Sequence, residues 1–370
     1  MGNRGKSPSE LIKMKLCAVT GGRCQFCNKF LFTDSVTLEE INDSNIAHII
    51  ASSPDGPRGG EKSHELSDKI ENLMLLCLEH HQLIDKKPDI YTVEFLQELK
   101  TEKEKAYAMF SNMQNLQKTN IVIFRSKIKG VQQVNYNLTS IIKSFLLEKI
   151  PEDSNGIEIN LLSKEKYSDK KYWSELTEEL EYKFDSSITR ILERNPEAHF
   201  SVFPIGPIPL IIKLGYAFGD KLNVDIYQKF REPDSWSWVE KKETNQFYYK
   251  KHTVGDKKLV ALVISLTADI SEDRVFDANN DIGVIYTIAA QRKGVDCILS
   301  KMDLKNFWLM YQEVCEEIKR NYKDVDVHLF SALPVSAAFE IGRRFMPGVY
   351  NKMKIYEENE GFFETITIGE

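Results

Sequence analysis

A chain of 370 residues with 42% hydrophobic and 28% charged side chains is long enough for two cores and too polar for a membrane bundle. The formal net charge of −6 excludes a uniformly basic coat for nucleic acid. No apolar run approaches the roughly 18 residues of a membrane span, and the N-terminus lacks the apolar segment of a secretory leader, so the expected compartment is the cytoplasm, with no membrane partner. The six cysteines form no disulfide framework; Cys17, Cys297 and Cys315 lie in apolar surroundings and read as ordinary buried thiols. Charge is uneven along the chain. Residues 1–30 carry Arg4, Lys6, Lys13, Lys15, Arg23 and Lys29 against the single acid Glu10, a basic arm suited to phosphates or simply to water.

In chain order, Ser9 is an N-cap for a helix over about residues 10–19, closed by Gly21-Gly22. Arg23-Cys24-Gln25-Phe26-Cys27 is a tight knuckle. Residues 45–51 form an apolar strand interrupted by His48, and residues 52–63 a polar loop that carries Arg58 and Lys62. Asn72 to Asp85 is the centre of this half: a buried strand over Leu73–Leu76, then a helix on which the four-residue step from His81 places Asp85 on the same face. A charged amphipathic helix over residues 92–112 completes a compact unit, 1–115, and the polar run 112–120 marks its boundary with a second unit, 116–370.

The second unit has strand–helix–strand texture. Residue 121–124 is a strand, 136–149 a helix stopped by Pro151, and 170–195 an amphipathic helix. Strands at about 200–205, 223–227, 259–266, 282–289, 327–330 and 353–356 alternate with helices at 207–219, 303–321 and 335–346, which predicts an α/β domain with a largely parallel sheet. An internal echo runs through it. Phe203-Pro-Ile-Gly-Pro207 with Gly215 matches Phe330-Ser-Ala-Leu-Pro334 with Gly342 at the same spacing, and the following strands end at Tyr227 and Tyr356. The repeat points to two duplicated Rossmann-like halves, against the alternative of two chance strand–Pro–helix units.

Two sets of residues carry chemistry. Cys24-x-x-Cys27 and Cys77-x-x-His80 present four soft or borderline ligands in two pairs, a closed tetrahedral zinc site; a lone Cys-x-x-Cys could be a redox pair, and the second pair favours structural zinc. His48, Asn72, His81 and Asp85 form the second set. A histidine takes a proton from water, an Asn accepts from its other ring nitrogen and orients it, and His plus carboxylate hold a hard divalent ion beside a phosphate. Singly each has a structural explanation, and His48 on an apolar strand could be core.

On Gly21-Gly22-Arg23-Cys24-x-x-Cys27, Ala47-His48-Ile49-Ile50 and Asn72-Leu-x-Leu-Leu-Cys-x-x-His-His-x-x-x-Asp85, residues 21–85 resemble an HNH endonuclease with a zinc knuckle of the ββα-metal kind. The resemblance implies His48 as general base, Asn72 as the residue that orients it, and His81 and Asp85 as ligands of a catalytic Mg2+ or Mn2+. Two positions depart from the pattern: His80 stands where the last zinc ligand is usually Cys, and Ala47 stands where a metal-binding Asp or His often precedes the base. Asn45, water or phosphate would complete the shell.

Residues 120–370 are similar to a SAVED domain, a cyclic-oligonucleotide sensor of two fused CARF-like halves. The carriers are Phe203-Pro-Ile-Gly-Pro-Ile-Pro-Leu210, Gly215-Tyr216, Asp225-Ile-Tyr-Gln228 through Trp236-x-Trp238, and Pro334 to Arg343. The combination resembles antiphage effector nucleases of CBASS defence, which implies messenger-driven homo-oligomerisation and degradation of double-stranded DNA. Ligands of open α/β sheets bind beyond the carboxyl ends of strands, where phosphates meet cations and bases meet aromatic faces. The pocket residues expected on that basis are Pro207, Gln228, Lys229, Arg231, Trp236, Trp238, His252, Pro334 and Arg343, although Trp236 and Trp238 could equally be core and Arg343 a solvated face. Two other readings compete. A zinc-ribbon DNA-binding regulator without catalysis has no use for the second residue set, and a restriction-type HNH enzyme with a DNA-reading second unit calls for a basic domain, whereas this one is rich in Asp and Glu.

Overall fold

The computed structural model describes residues 5–34, 37, 39–112, 116–128, 136–146, 148–153, 155–239, 243–255 and 258–369. Arg4 of the basic arm lies outside them. The chain divides into two compact units, Met1–Leu116 and Gln117–Glu370. The division falls inside the polar 112–120 run, of which 117–120 is already strand and 113–115 lies outside the described residues.

In the first unit, helix α1 (Glu10–Thr20) begins where Ser9 Oγ accepts from Ile12 N–H and ends at Gly21 in the left-handed region, φ +58°. Strand β1 (Asn45–His48) is followed by a single turn, α2 (Ser63–Leu66), and by β2 (Leu73–Leu76), which pairs antiparallel with β1 in the register His48↔Leu73. Helices α3 (Leu78–Lys86) and α4 (Val93–Asn112) follow. All four residues of β2 are buried because both faces are covered, and its outer edge is satisfied by the knuckle. Gln25 donates its backbone N–H to Leu75 O and accepts Leu75 N–H on its side-chain oxygen, at 2.9 and 2.8 Å, in place of a third strand. The strand expected over 45–51 stops at His48, because beyond it the backbone of Ile50 bonds the side chain of Asn72 instead of a strand.

The second unit opens with β3 (Gln117–Ser126), α5 (Leu138–Lys143), β4 (Lys149–Pro151), β5 (Ile157–Leu161), α6 (Lys170–Phe184), α7 (Arg190–Arg194), β6 (His199–Ile205), α8 (Ile208–Phe218) and β7 (Asn223–Ile226). These strands form one all-parallel sheet in the order β4-β3-β6-β7, with β5 beside the later part of β3. Then come β8 (Phe247–Thr253), β9 (Leu259–Ser265), α9 (Glu272–Ala278), β10 (Ile282–Ala290), α10 (Lys301–Asn321), β11 (Val327–Ala332), α11 (Val335–Arg343), β12 (Met353–Glu358) and β13 (Phe362–Ile368). They make a mixed sheet, β13-β12-β11-β9-β10-β8, whose outermost strands are antiparallel. Those two edge strands escape a search for apolar runs, since β8 buries only Phe247 and β13 only Ile366 and Ile368. The helix expected over 136–149 is cut to α5, because Lys149–Pro151 leaves to pair with Gln117–Thr119, an edge position where Pro151's missing N–H costs nothing. The 170–195 helix is interrupted by a π turn at Asp185–Thr189, where the hydroxyls of Ser186 and Ser187 bond back to Lys183 O.

The internal echo is a structural one. Phe203 stacks on Tyr227 at 4.6 Å between ring centroids, and Phe330 stacks on Tyr356 at 4.3 Å. Helices α8 and α11 meet backbone to backbone: a Cβ on Gly215 would stand 2.1 Å from Phe339 O, and one on Gly342 would stand 1.8 Å from Ile212 O. Residues 339 and 212 are themselves equivalent under the repeat, so the contact is the same from both sides. Only glycine admits this approach at either position. Gly215→Ala and Gly342→Ala should each lower the stability of this unit by about 1–3 kcal/mol, the cost of overpacking, and by similar amounts, as read by thermal unfolding.

Candidate functional site

The knuckle and the β2–α3 corner bring four side chains to one point. The sulfurs of Cys24, Cys27 and Cys77 and a ring nitrogen of His80 all lie within 4.8 Å of one another, the only such group of three or more metal-ligand side chains among the described residues. His80 Nδ1 is 3.0 Å from Cys77 Sγ, and its ring stacks on Phe26 at 4.4 Å. Burial, with Cys24 and Cys27 alongside, pushes the Cys77 thiol up to about 11. A cation is what turns such a thiol into a thiolate. Ligand atoms around tetrahedral zinc stand about 3.4–3.8 Å apart, so this donor set fits a structural Zn2+ with Cys24, Cys27, Cys77 and His80 as ligands.

His48 closes β1, on the opposite face from buried Ala47. Its Nε2 is 3.0 Å from the carbonyl oxygen of Ser67. A carbonyl only accepts, so the neutral ring carries its proton on Nε2 and its lone pair on Nδ1, the form a general base needs. Here the expectation for Asn72 requires correction. Its side chain does not orient the His48 ring: Oδ1 accepts from Ile50 N–H, and Nδ2 donates to Ile50 O and Leu66 O, at 2.8, 2.8 and 3.2 Å. Asn72 is nearly fully buried and ties the segment after His48 to the one before Ser67. It therefore places the Ser67 carbonyl that the His48 ring meets. Asn45 is also corrected as a metal ligand: it lies three residues before His48, on the other face of the strand, and donates to Asp43 O.

His81 and Asp85 share a face of α3, with His81 Nε2 3.4 Å from Asp85 Oδ2 and both side chains partly exposed. The pair fits a hard divalent ion held by two protein groups and otherwise by water or phosphate oxygens. Sequence reasoning passed over Arg58. Its side chain, 4% exposed, donates from the guanidinium to Ile49 O, Ile84 O, His48 O and Asp85 Oδ1, at 2.7, 2.6, 3.4 and 3.0 Å. The signal was one basic residue in a Ser/Pro/Gly loop, indistinguishable in sequence from a solvated one.

In the second unit a cavity of about 400 Å3 lies beside β7, the edge strand of the parallel sheet, under α10 and the end of α11. Trp238 and Trp308 supply aromatic walls, and Lys301, Lys305, Arg343 and Arg344 supply cations. Its acids are committed: Glu340 pairs with Arg343 and Arg344, and Asp225 pairs with Lys149. Burial would raise the Asp225 carboxyl, but the bond from Lys149 and the charges of Lys149 and Lys301 hold it below the usual range. Behind Asp225, the His199 imidazole is bonded to Thr119 Oγ1 at 2.8 Å, and burial pushes it down to about 4. Arg343 donates to Leu222 O at 3.1 Å, while its Nε is buried without a partner among the described residues.

Of the expected pocket residues, the structure brings Trp238 and Arg343 to this cavity and places the others elsewhere. Pro207 and Pro334 are the N-caps of α8 and α11. Gln228 is buried, donating to Ile298 O and accepting from Ser336 Oγ. Lys229 pairs with Asp234 above the Trp236 ring, and Arg231 is exposed. Trp236 is a core residue, packed between Tyr136 and Phe203, so it has no face left for a base. His252 lies on β8, paired with Glu272 on the far edge of the mixed sheet. Lys301, Lys305, Trp308 and Arg344 were missed because a helix pattern alone does not say which polar face borders a cavity.

Two α/β halves related by an internal repeat, with a cation- and tryptophan-lined cavity on one sheet edge, define a small-ligand sensor architecture. The family model for SAVED, the SMODS-associated and fused to various effectors sensor domain, matches residues 184–368, half of the chain, and the chain belongs to this family. A search of curated proteins finds no match. Among solved structures, the chain is similar to the Acinetobacter baumannii Cap4 SAVED/CARF-domain containing receptor with the cyclic trinucleotide 3'3'3'-cAAA (TM-score 0.45, 11% identity, 78% of this chain and 62% of that one). The same receptor with 2'3'3'-cAAA gives 0.45, 12%, 78% and 61%, and a Moraxella osloensis Cap4 receptor gives 0.41, 11%, 78% and 60%. The chain thus spans about three fifths of the length of these proteins. No helix among the described residues is long and apolar enough to cross a membrane.

Proposed function

We propose that this chain is a CBASS-type antiphage effector: an HNH endonuclease that cuts double-stranded DNA when its SAVED domain binds a cyclic oligonucleotide. What carries the reading is His48, its tautomer set by Ser67 O, on a zinc-braced β-β-α unit in one chain with a family-matched sensor. His48 Nδ1 takes a proton from a water molecule as the water oxygen attacks phosphorus, the P–O3′ bond breaks, and the 3′ oxygen leaves to be protonated by solvent. A divalent ion held by His81 and Asp85 would supply positive charge for the phosphate and the departing oxygen. A zinc ion held by Cys24, Cys27, Cys77 and His80 would fasten the knuckle to β2 and so keep α3 in register with His48.

In the sensor, Trp238 and Trp308 stack bases while Lys301, Lys305 and Arg343 meet phosphates. Messenger binding drives sensor domains to associate, and the oligomer is the active nuclease. Linear duplex DNA with Mg2+ or Mn2+ should be degraded only when a cognate cyclic di- or trinucleotide is added, with 3'3'3'-cAAA, seen in the Cap4 receptor, as one member of the panel. Sedimentation should shift in the same tubes. Equal cleavage with and without messenger overturns the gating, and metal-indifferent DNA binding with no cleavage points to the non-catalytic regulator. Lys305→Glu and Trp308→Ala should each weaken messenger binding roughly 10- to 100-fold by calorimetry, the scale of a lost charge-assisted bond or base stack.

A further inference from the structure

We infer that Arg58 is the positioning residue for the catalytic divalent ion, acting through Asp85; the inference rests on the nuclease reading above. Three backbone carbonyls and one carboxylate converge on a single buried guanidinium, and they come from the two elements whose relative placement matters. His48 O is at the end of β1, at the residue that carries the base, and Ile49 O follows it directly. Ile84 O and Asp85 Oδ1 belong to the α3 turn that carries the ion. Arg58 is held for this task by its own backbone, in the left-handed region at φ +56°, within a loop closed by the bond from Ala51 N–H to Pro57 O.

The carboxylate geometry states the consequence. With Oδ1 taken by Arg58, Asp85 offers one oxygen, Oδ2, on the side of His81 Nε2. The carboxylate is thereby kept from rotating and from binding bidentately, and it presents a single oxygen beside the imidazole. Because Ala47 contributes no ligand, the ion depends on these two protein groups, and a freely rotating Asp85 would leave His81 alone. A guanidinium acting only as a charge would oppose a cation. Its removal would then raise metal affinity, whereas removal of a positioning group lowers it, so the sign separates the two.

The test is Mn2+ binding by electron paramagnetic resonance on the full-length zinc-loaded protein, alongside zinc content and thermal unfolding. Arg58→Gln, which removes the charge, and Arg58→Lys, which keeps it but loses the fork, should each weaken Mn2+ binding by roughly 10- to 100-fold with zinc retained. Asp85→Ala should weaken it by a similar factor, and adding Arg58→Gln to it should cost nothing more. Unchanged or tighter Mn2+ binding in the Arg58 variants, with zinc retained, overturns the inference. If the Arg58 variants lose zinc or fail to fold, Asp85→Ala decides, and wild-type Mn2+ affinity there overturns it equally. A wild-type protein with no saturable Mn2+ site, by contrast, defeats the nuclease reading itself.

Discussion

If the proposed nuclease reading holds, His48→Ala should lower DNA cleavage by about 10²- to 10⁴-fold, the contribution of a positioned general base, while zinc content and messenger binding stay at wild-type levels. The reason is local. The imidazole sits at the last residue of β1, half-buried, with its proton held on Nε2 by Ser67 O. Its backbone is held independently, by the pairing with Leu73 and by the Arg58 bond to its carbonyl, so truncating the ring leaves the strand in place. His48→Gln should be no better, because an amide cannot take the proton from water. Cleavage is measured on linear duplex with saturating messenger and Mg2+. Near wild-type rates in His48→Ala would remove this residue from the chemistry, and with it the nuclease assignment.

Loss of a zinc ion from the Cys24, Cys27, Cys77 and His80 site should have a larger structural effect. Cys77→Ser or chelation should collapse the first unit, since a structural Zn2+ contributes about 10–16 kcal/mol of apparent binding energy and the described residues of this unit form one small apolar cluster to set against its loss. The sequence of β2, Leu-Met-Leu-Leu, would be exposed along the edge that Gln25 now satisfies. The second unit has its own cores and should survive. Elemental analysis should give one zinc per chain. Limited proteolysis after chelation should remove residues up to about the division at Leu116 and leave a fragment that still binds messenger. A first unit that resists protease equally with and without the metal would show that the quartet does not brace it.

Several parts of this architecture are legible because the physics acts locally. Cys24-x-x-Cys27 and Cys77-x-x-His80 meet because each pair is a single turn of backbone, and only the joining of the two pairs needs the fold. Ser9, Gly21 and the two proline N-caps act within four residues of themselves. The echo between Gly215 and Gly342 is visible in sequence because two helices that cross backbone to backbone tolerate no side chain at either place.

Other features depend on partners distant in the chain. Asn72 reads as a ring-orienting residue in sequence, but its amide is taken by Ile50 and Leu66, which the fold brings to it. Trp236 and Trp238 are two residues apart, yet one is locked between Tyr136 and Phe203 while the other borders a cavity. Edge strands β8 and β13 bury too little to announce themselves.

By itself, then, the sequence singled out the Cys24, Cys27, Cys77 and His80 quartet, His48 as the candidate base, the division into two units and the duplication within the second, because cysteine spacing, caps and apolar periodicity are set by neighbours along the backbone. Tertiary structure alone decided that Ser67 O meets the His48 ring, that Arg58 joins His48 O to Asp85, and that Lys301, Lys305, Trp308 and Arg344 gather beside β7. Those are contacts between segments whose sequence separation carries no signal, and only the packed chain says which polar group a buried carbonyl or an open sheet edge will meet.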